Sequence, residues 1–274
     1  MAKLGKFRAR WLPGLLRRRP DLLTGAGAVW WRHIIVYRTM MWASLTSNVF
    51  EPLLLLFAFG YGLGAIVGEL AGLPYLVFIL PGMMAYTAMF AASFESTVSA
   101  YARFRMQKTW DAMLATPLSL TEILLGELLW CTTKAMIAAT CVFIVGAAFG
   151  GVPSIGGGLL GLLMLVLAAL CFGACGHAFL AYAKGWDFFS YVFTFWVTPM
   201  FIFSGVFFEV TRFPDPIQLL AWVLPMTHVI AVLRPLTTGQ ELGWIAILNV
   251  LYVAGLAVVA FLVARRRIGQ RMFD

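Results

Sequence analysis

The chain has 274 residues, of which 62% are hydrophobic and only 12% are charged, and its formal net charge is +8. A soluble domain carries about 25% charged residues, so this composition excludes a soluble globular protein and indicates an integral membrane protein. The four cysteines lie in or beside apolar runs and form neither a metal-binding nor a disulfide pattern. Because there is also no Ser/His/Asp or paired-carboxylate arrangement, we expect no catalytic residues, metal or cofactor in this chain.

The chain begins with a basic arm, residues 1–23, which is not followed by an apolar run with a cleavage site. The next stretch, AVWWRHIIVYRTMMW, mixes apolar residues with Arg32, His33 and Arg38. Such a segment is typical of a helix that lies in the membrane interface with its cations toward lipid head groups. The alternative is that these cations only fix the topology, and both interpretations can hold.

Six apolar stretches are long enough, or nearly so, to cross the hydrocarbon core, which takes about 20 residues in a helix. A seventh stretch, residues 216–233, is uncharged but holds Pro225 near its middle, where proline breaks a helix. The six predicted spans are residues 48–68, 75–94, 135–152, 155–183, 188–208 and 242–264.

The distribution of Lys and Arg decides between six and seven spans. With six spans, eighteen of the 20 basic residues lie on the same side as both termini, and only Arg212 and Arg234 lie opposite. Basic residues are retained in the cytoplasm, so both termini are predicted inside. Residues 216–233 then form a re-entrant or interfacial hairpin within an outer segment of about residues 209–241. Residues 265–274 form a basic cytoplasmic tail.

The most polar run between the ends of the chain, RFRMQKTWDAMLATPLSLTE at residues 103–122, joins spans two and three on the cytoplasmic side. Lys108 and Asp111 are spaced to pair on the side of a short helix, which Pro117 ends. An apolar stripe at helical spacing is formed by Met106, Trp110, Met113 and Leu114. Either head groups and the chain's own spans cover this stripe, or a groove on another protein does. Periodicity alone does not choose between them.

Charged residues lie near the predicted cytoplasmic ends of spans one to three, namely Glu51, Glu95, Glu122, Glu127 and Lys134. Charges inside a membrane are costly and usually pair. We expect a structural ion pair of Lys134 with Glu95 or Glu51, in preference to contact with a substrate or a coupling relay. Pro52 predicts a kink beside Glu51 in the first span.

Aromatic residues are dense in span five and its approach. Contact with lipid and an interfacial belt would explain them, and a wall for lipid tails or sugar rings is the functional alternative. Tyr191 and Trp196 are the better candidates for stacking on sugars because they also carry a hydrogen-bond donor, and Phe195 belongs to the same candidate path.

Two stretches resemble permeases of the type-2 ABC exporter family. QKTWDAMLATPLSLTEILLGELL is similar to the family's short cytoplasmic helix, where a phrase close to G-T-L-E-x-L-x-x-T-P-L-S-x-x-E-x-x-x-G recurs. Trp110, Asp111 and Met113 depart from it, since the family usually has Leu, Glu and Leu there. PMFIFSGVFFEVTRFPDPIQLLAWVLPMTHVIAVLRPLTTG is similar to the run from span five through the outer hairpin.

The second stretch carries Pro225, His228 and Arg234 in positions that match the family, and we expect His228 to help hold the hairpin. Within the family, LSLTEILLGELLW and LPMTHVIAVLRPL are most similar to nodulation-type lipooligosaccharide exporter permeases. The resemblance implies an all-α membrane protein with six transmembrane helices and an N-terminal interfacial helix. It also implies a cytoplasmic coupling helix at about residues 103–117 and an outer re-entrant helical hairpin.

The resemblance further implies the permease part of an ATP-driven exporter. The chain has no G-x-x-x-x-G-K-S/T phosphate loop, so ATP and Mg are expected in partner ATPase subunits. Members of the family work as two permeases with two ATPases, so the expected partners are two ATPase subunits, a second permease copy and membrane lipids, without nucleic acid. The apolar coupling residues would be anchors in an ATPase cleft and the charged ones its rim. The coupling residues are Arg105, Lys108, Trp110, Asp111, Met113, Leu114 and Pro117.

The cargo implied by the resemblance is an amphipathic glycolipid or lipooligosaccharide, moved outward across a bacterial inner membrane. Export of a drug or another hydrophobic small molecule is the alternative, because the same fold serves both. An ion channel is a weaker alternative, suggested only by FGYGLG at residues 59–64. That stretch closes a full-length span, whereas a filter strand follows a pore helix.

Overall fold

In a computed structural model, which describes residues 21–39 and 50–273, the chain is built almost wholly of helices. A short antiparallel β-hairpin, β1 (Glu69–Leu70) with β2 (Leu73–Pro74), joins the second helix to the third. The helices before the middle of the chain are α1 (Leu22–Thr39), α2 (Phe50–Val67), α3 (Tyr75–Met106), α4 (Thr109–Leu114) and α5 (Leu120–Ala148). Those after it are α6 (Ile155–Leu180), α7 (Asp187–Phe203), α8 (Asp215–Val223), α9 (Pro225–Thr238) and α10 (Ile245–Phe273).

Within the described residues, five helices are long and apolar enough to cross a membrane: α2, α3, α5, α6 and α10. They correspond to five of the six predicted spans. The remaining predicted span is α7, which has 17 residues between Asp187 and Phe203. That is at the lower limit for a hydrocarbon core about 30 Å thick. An all-α membrane protein is therefore confirmed, and the role of α7 as a full crossing stays a prediction.

Two predicted span boundaries were wrong, because the helices continue through charged residues. The second span was predicted to end at Phe94, but α3 continues to Met106 through two wide helical turns at Glu95–Ser99 and Ala102–Met106. The third was predicted to begin at residue 135, but α5 begins at Leu120. Hydropathy excluded these turns because they carry carboxylates and cations, and the folded chain pairs those charges internally.

The predicted coupling helix at residues 103–117 is also shorter than expected. Residues up to Met106 belong to α3, and Lys108 then adopts a left-handed backbone conformation with φ of 49°. The separate helix is only α4, which ends at Leu114 before the turn that holds Pro117. Ser119 caps the next helix, α5, by accepting a hydrogen bond from the Glu122 backbone N–H. We call residues 107–119 the connector.

The helix ends meet in two groups. An apolar cluster separate from the main core gathers the end of α3, the connector, the start of α5, the end of α6, the start of α7 and the end of α10. Its members include Phe104, Trp110, Leu124, Leu180 and Ile268, and we call this side the connector end. The opposite ends of α3, α5, α6 and α10 therefore lie at the other side, as an up-and-down arrangement of spans requires.

The predicted outer hairpin consists of α8 and α9, which are bent by 87° at Leu224. Tyr252 donates a hydrogen bond to the Val223 carbonyl (2.7 Å), and Tyr252 lies seven residues, or about 10 Å, inside α10. At the other end of α9, the Thr237 carbonyl accepts from the backbone N–H of Ser154, just before α6 begins. The pair thus enters the helix bundle and returns, which favours a re-entrant hairpin over a broken span.

The stretch predicted to be an interfacial helix forms a helix, α1, although Met40, Met41 and Trp42 of that stretch lie outside the described residues, as do residues 1–20 of the basic arm. α1 packs along the first half of α5 in the same direction. Gly126 makes this possible, because a Cβ there would lie 2.5 Å from Cβ of Val29 and 2.7 Å from the Ala26 carbonyl oxygen. The orientation of α1 to the lipid plane stays a prediction.

The predicted basic tail is not a separate segment. α10 continues as one helix through residues 265–273, and Arg271 donates to the carbonyl of Ala181 at 3.1 Å. The basic residues there form its last turns at the connector end, where cations also interact favourably with the carbonyl ends of helices.

We expect the connector end to be cytoplasmic and the hairpin end to be external, because the connector end holds most of the basic residues. In a variant without native cysteines, an impermeant thiol reagent added to intact cells should label Asp215→Cys, at the start of α8, and not Lys108→Cys in the connector. Both sites should be labelled after the cells are permeabilised, which controls for reactivity. The reverse pattern in intact cells would show that the orientation is inverted.

Candidate functional site

The last turns of α3 place a carboxylate and a guanidinium on one face. Glu95 and Arg103 lie eight residues apart, one in each of the two wide turns, and both side chains contact α5. Nη1 of Arg103 donates to Oε1 of Glu95 at 2.7 Å. This contact ties the polar extension of α3 together before the chain turns into the connector.

Two residues of α5, Glu127 and Lys134, complete a four-residue charge cluster with this pair. Nη2 and Nε of Arg103 donate to Oε2 of Glu127 at 2.6 and 3.1 Å, and Nζ of Lys134 donates to Oε2 of Glu95 at 2.8 Å. The side chains of Glu127 and Glu95 are 0% and 4% exposed, and those of Arg103 and Lys134 are 12% and 13% exposed. The two negative and two positive formal charges cancel, so the cluster is compatible with burial.

Ring N–H donors from three helices contact the same carboxylates. Nε1 of Trp110 in α4 donates to Oε1 of Glu127 at 2.9 Å, and Nε1 of Trp130 in α5 donates to Oε1 of Glu95 at 3.1 Å. His33 in α1 contributes Nε2 at 3.1 Å from Oε1 of Glu127, and since a carboxylate only accepts, Nε2 is the donor. One carboxylate, Glu127, therefore joins α1, α3, α4 and α5.

The family resemblance implied that Trp110 and Met113 of the apolar stripe are anchors in an ATPase cleft, but both side chains are buried within this chain. Trp110 is 0% exposed and packs on Phe104 with ring centroids 5.0 Å apart, and Met113 is buried in the same apolar cluster. Met106 is no part of that stripe, because it ends α3 and is exposed. Of the alternatives that periodicity left open, the chain's own spans cover the stripe, and Leu114 is partly buried against it.

The outer face of the connector is polar and accessible. The predicted coupling residues that remain at the surface are Arg105, Lys108, Asp111 and Pro117. Lys108 and Asp111 form no ion pair within the described residues, because Lys108 precedes the first turn of α4 instead of lying on its side. The connector thus has a buried apolar face with one polar anchor and an exposed face of mixed charge.

The structure pairs Lys134 with Glu95, while Glu51 lies exposed near the start of α2 and takes no part in the charge cluster. Sequence reasoning did not identify Arg103 as the centre of the cluster, since it placed Arg103 at the start of the cytoplasmic coupling helix. Glu127, Trp130 and Lys134 recur at spacings of three and four, which place them on one helical face. That spacing was the available signal, but beginning the predicted span at residue 135 concealed it.

At the hairpin end, two of the predicted residues fasten α9 to its neighbours. Pro225 opens α9 directly after the bend, as proline favours an extended residue before it. His228 lies with Nδ1 2.7 Å from Oδ1 of Asn249 in α10 and Nε2 2.9 Å from the Trp222 carbonyl oxygen. These contacts hold the returning half of the hairpin against α10.

Arg234, the other cation predicted outside, is partly buried and has no carboxylate in hydrogen-bond contact among the described residues. It donates to the Gly205 carbonyl at 2.6 Å, and its guanidinium carbon lies 3.8 Å from the centre of the Phe78 ring. It therefore joins α9 to α3 and to the residues after α7, and carbonyl and ring contacts replace an ion pair.

The aromatic candidates of α7 divide between two environments. Tyr191 and Phe195 are 63% and 73% exposed and stack on each other with nearly parallel rings. Trp196 is partly buried against Phe179 of α6, with centroids 5.6 Å apart. Only the first two present an open surface on this chain.

Comparison with known proteins gives a consistent result along most of the chain. A family model described as ABC-2 type transporter matches residues 24–236. Nodulation protein J of Sinorhizobium fredii is 36% identical over 235 residues, which cover 85% of this chain and 87% of that protein. Nodulation protein J of Rhizobium leguminosarum bv. trifolii is 39% identical over 213 residues, covering 78% and 81%. Inner membrane transport permease YadH of Escherichia coli is 26% identical over 239 residues, covering 86% and 90%.

Removing the negative charge at the centre of the cluster should destabilise the fold. We expect Glu127→Gln to cost about 3 kcal/mol or more, because it leaves Arg103 buried with one carboxylate fewer. Thermal unfolding of the purified protein in detergent measures the loss. The matched control is Glu209→Gln. Glu209 pairs with the exposed Arg212 at an N–O distance of 3.5 Å, and loss of this surface ion pair should cost less than about 1 kcal/mol. Equal unfolding temperatures for the two variants would contradict a central role for Glu127.

Proposed function

Because the chain belongs to the ABC-2 type transporter family, we propose that it is the permease of an ATP-driven exporter that moves amphipathic glycolipids out of the inner membrane. The family resemblance predicted from the residues is confirmed. As a permease of this family with several apolar helices, the chain is an inner-membrane protein that works with an ABC ATPase subunit. Outward transport, the glycolipid cargo, and an assembly of two permease copies with two ATPase subunits are the proposed parts.

The hydrogen bond from Trp110 to Glu127 is the observation that carries the proposal for energy coupling. An ATPase bound to the exposed face of the connector would move α4 as a unit, because its other face is buried in the apolar cluster. Displacement of Trp110 acts directly on Glu127 in α5, and through Arg103 on α3. A contact at the surface of the connector therefore reaches two spans through three buried side chains.

The exposed residues Arg105, Lys108 and Asp111 are the proposed contacts with the ATPase, with Pro117 at the turn. Their mixed charges would set the register of docking more than its affinity, as charges at an interface rim do. The apolar coupling residues act from within the permease instead, where Trp110, Met113 and Leu114 hold the connector to its spans. Recognition and transmission are thus assigned to opposite faces of one short segment.

The glycolipid proposal rests on sequence similarity together with the open aromatic pair on α7. The related Nodulation protein J sequences cover most of this chain, and the motif wording resembles lipooligosaccharide exporter permeases. Tyr191 combines an apolar ring with a hydroxyl, which suits a molecule with both sugar and lipid parts. Tyr191 and Phe195 are the proposed contacts, and Trp196 would support the wall from behind.

Two variants of the connector should fail in different ways. Lys108→Glu changes only the exposed face, so the permease should fold normally while binding of its ATPase weakens roughly tenfold or more, because a charge that sets the register of docking is reversed. Trp110→Phe keeps an aromatic ring in the core but removes the donor to Glu127, so the ATPase should still bind while transport per ATP hydrolysed falls. Co-purification from detergent measures binding, and reconstituted vesicles measure transport.

Arg212→Glu is the matched control for charge reversal, because Arg212 is exposed at the opposite, hairpin end. It should leave ATPase binding unchanged. Retention of the ATPase by Lys108→Glu together with normal transport by Trp110→Phe would show that the connector does not couple the two subunits.

The cargo proposal predicts which compounds stimulate the complex. ATP hydrolysis by the reconstituted permease and ATPase should increase with lipooligosaccharide and not with small hydrophobic cations. Tyr191→Ala should raise the concentration needed for half-maximal stimulation, because an exposed stacking surface is lost. Trp244→Ala is the control, as Trp244 is also highly exposed but lies next to the start of α10. Stimulation by hydrophobic cations alone would support drug export instead.

A further inference from the structure

A polar pocket of about 300 Å³ lies beside the charge cluster, enclosed by α1, α3 and α5. It reaches the connector only at Gln107, the first connector residue, and it lies apart from the aromatic pair on α7. α1 forms one wall, the last turns of α3 the second, and one face of α5 the third. The side chains that give it its chemistry are Arg32, Tyr37, Ser99, Arg103, Gln107 and Lys134.

The wall of this pocket carries an excess of positive charge. Arg32, Arg103 and Lys134 line it, against one carboxylate, Glu95. Glu127 lies behind Arg103 and balances a second cation, so one positive charge remains. Arg32 supplies it, since Arg32 is partly buried and forms no ion pair with a carboxylate among residues 21–39 and 50–273. An anion with a single negative charge would complete the balance.

The neighbours of Arg32 indicate which anion fits. The pocket is several times larger than a phosphate group, and Ser99 and Gln107 add hydrogen-bonding groups to its wall. Ile35 and Val36, on the following turn of α1, are exposed apolar side chains, and Val36 belongs to the pocket wall. A phosphate group beside Arg32 would thus have polar side chains next to the groups esterified to it, and the apolar side chains Ile35 and Val36 would lie at the mouth of the pocket.

We propose that this pocket binds the phosphate head group of an anionic lipid, with Arg32 as the principal contact. Guanidinium groups bind phosphate oxygens through paired hydrogen bonds, and basic pockets between transmembrane helices are suited to anionic head groups. A soluble phosphate compound shares this chemistry but would leave the apolar edge at Ile35 and Val36 uncovered. The proposal does not depend on the exported cargo, because it concerns a lipid of the membrane itself.

Occupancy of the pocket would also act on the connector. Arg103 and Glu95 face the pocket on one side and form the charge cluster on the other, and the cluster holds Trp110 through Glu127. A phosphate beside Arg32 would strengthen the binding of α1 to α3 and α5 across the pocket. Loss of the lipid should therefore loosen α1 before the remaining helices.

Native mass spectrometry of the full permease in detergent, titrated with phosphatidylglycerol, tests the proposal. The wild-type protein should retain phosphatidylglycerol in preference to phosphatidylcholine. Arg32→Gln should weaken this retention roughly tenfold or more, because a charge-assisted hydrogen bond is lost. Arg32→Lys should restore part of it. The matched control is Arg38→Gln, an exposed cation on the same helix that does not line the pocket, and it should bind as the wild type does.

A second variant keeps the test decisive if Arg32→Gln folds poorly. Gln107→Glu places a negative charge at the pocket wall without touching Arg32, and it should also weaken binding of phosphatidylglycerol. Inorganic phosphate at millimolar concentration distinguishes a site for a lipid head group from a site for a soluble phosphate compound. Binding of phosphate with no preference for phosphatidylglycerol would overturn the lipid assignment. Equal retention by Arg32→Gln and Arg38→Gln, or equal binding of phosphatidylcholine by the wild type, would overturn the site itself.

Discussion

A carboxylate enclosed among membrane helices needs donors on all sides, and Glu127 has no exposed surface. Its two oxygens accept from Arg103, Trp110 and His33, which come from three other helices. Each of these donors would itself be costly to bury without this partner. The positions of α1, the end of α3 and the connector are therefore all determined by one side chain of α5. This constraint explains why the polar turns of α3 and α5 can remain helical inside the bundle.

The two ends of the bundle satisfy their partly buried cations differently. At the connector end, carboxylates neutralise Arg103 and Lys134, and the resulting cluster has no net formal charge. At the hairpin end, Arg234 is held by two carbonyls and an aromatic ring. Ion pairs join helices that approach from different directions, whereas carbonyl contacts fasten a loop and a hairpin to one span. A force applied at the connector end would therefore reach several helices at once, as the proposed coupling site requires.

The connector also shows why an amphipathic pattern does not identify what covers its apolar face. Periodicity correctly identified Trp110 and Met113 as residues that need burial, and both are buried. The pattern is the same whether the cover is another subunit or the chain's own helices. In this chain the cover is its own helices, because Glu127, 17 residues further along, accepts a hydrogen bond from the indole of Trp110. A hydrogen bond of this kind is set by the packing of helices and cannot be read from spacing.

The sequence by itself determined the membrane class, five of the spans, the hairpin at Pro225 and the family, because hydropathy, proline and motif wording are local properties of the chain. It also narrowed the partners of Lys134 to Glu95 and Glu51. Only the tertiary structure decided that Glu95 is the partner and that Arg103 lies at the centre of the cluster. It also extended α3 and α5 through residues that hydropathy assigns to water. The physical reason is that a charged residue is expelled from the membrane only while it is unpaired, and pairing depends on which helices pack together.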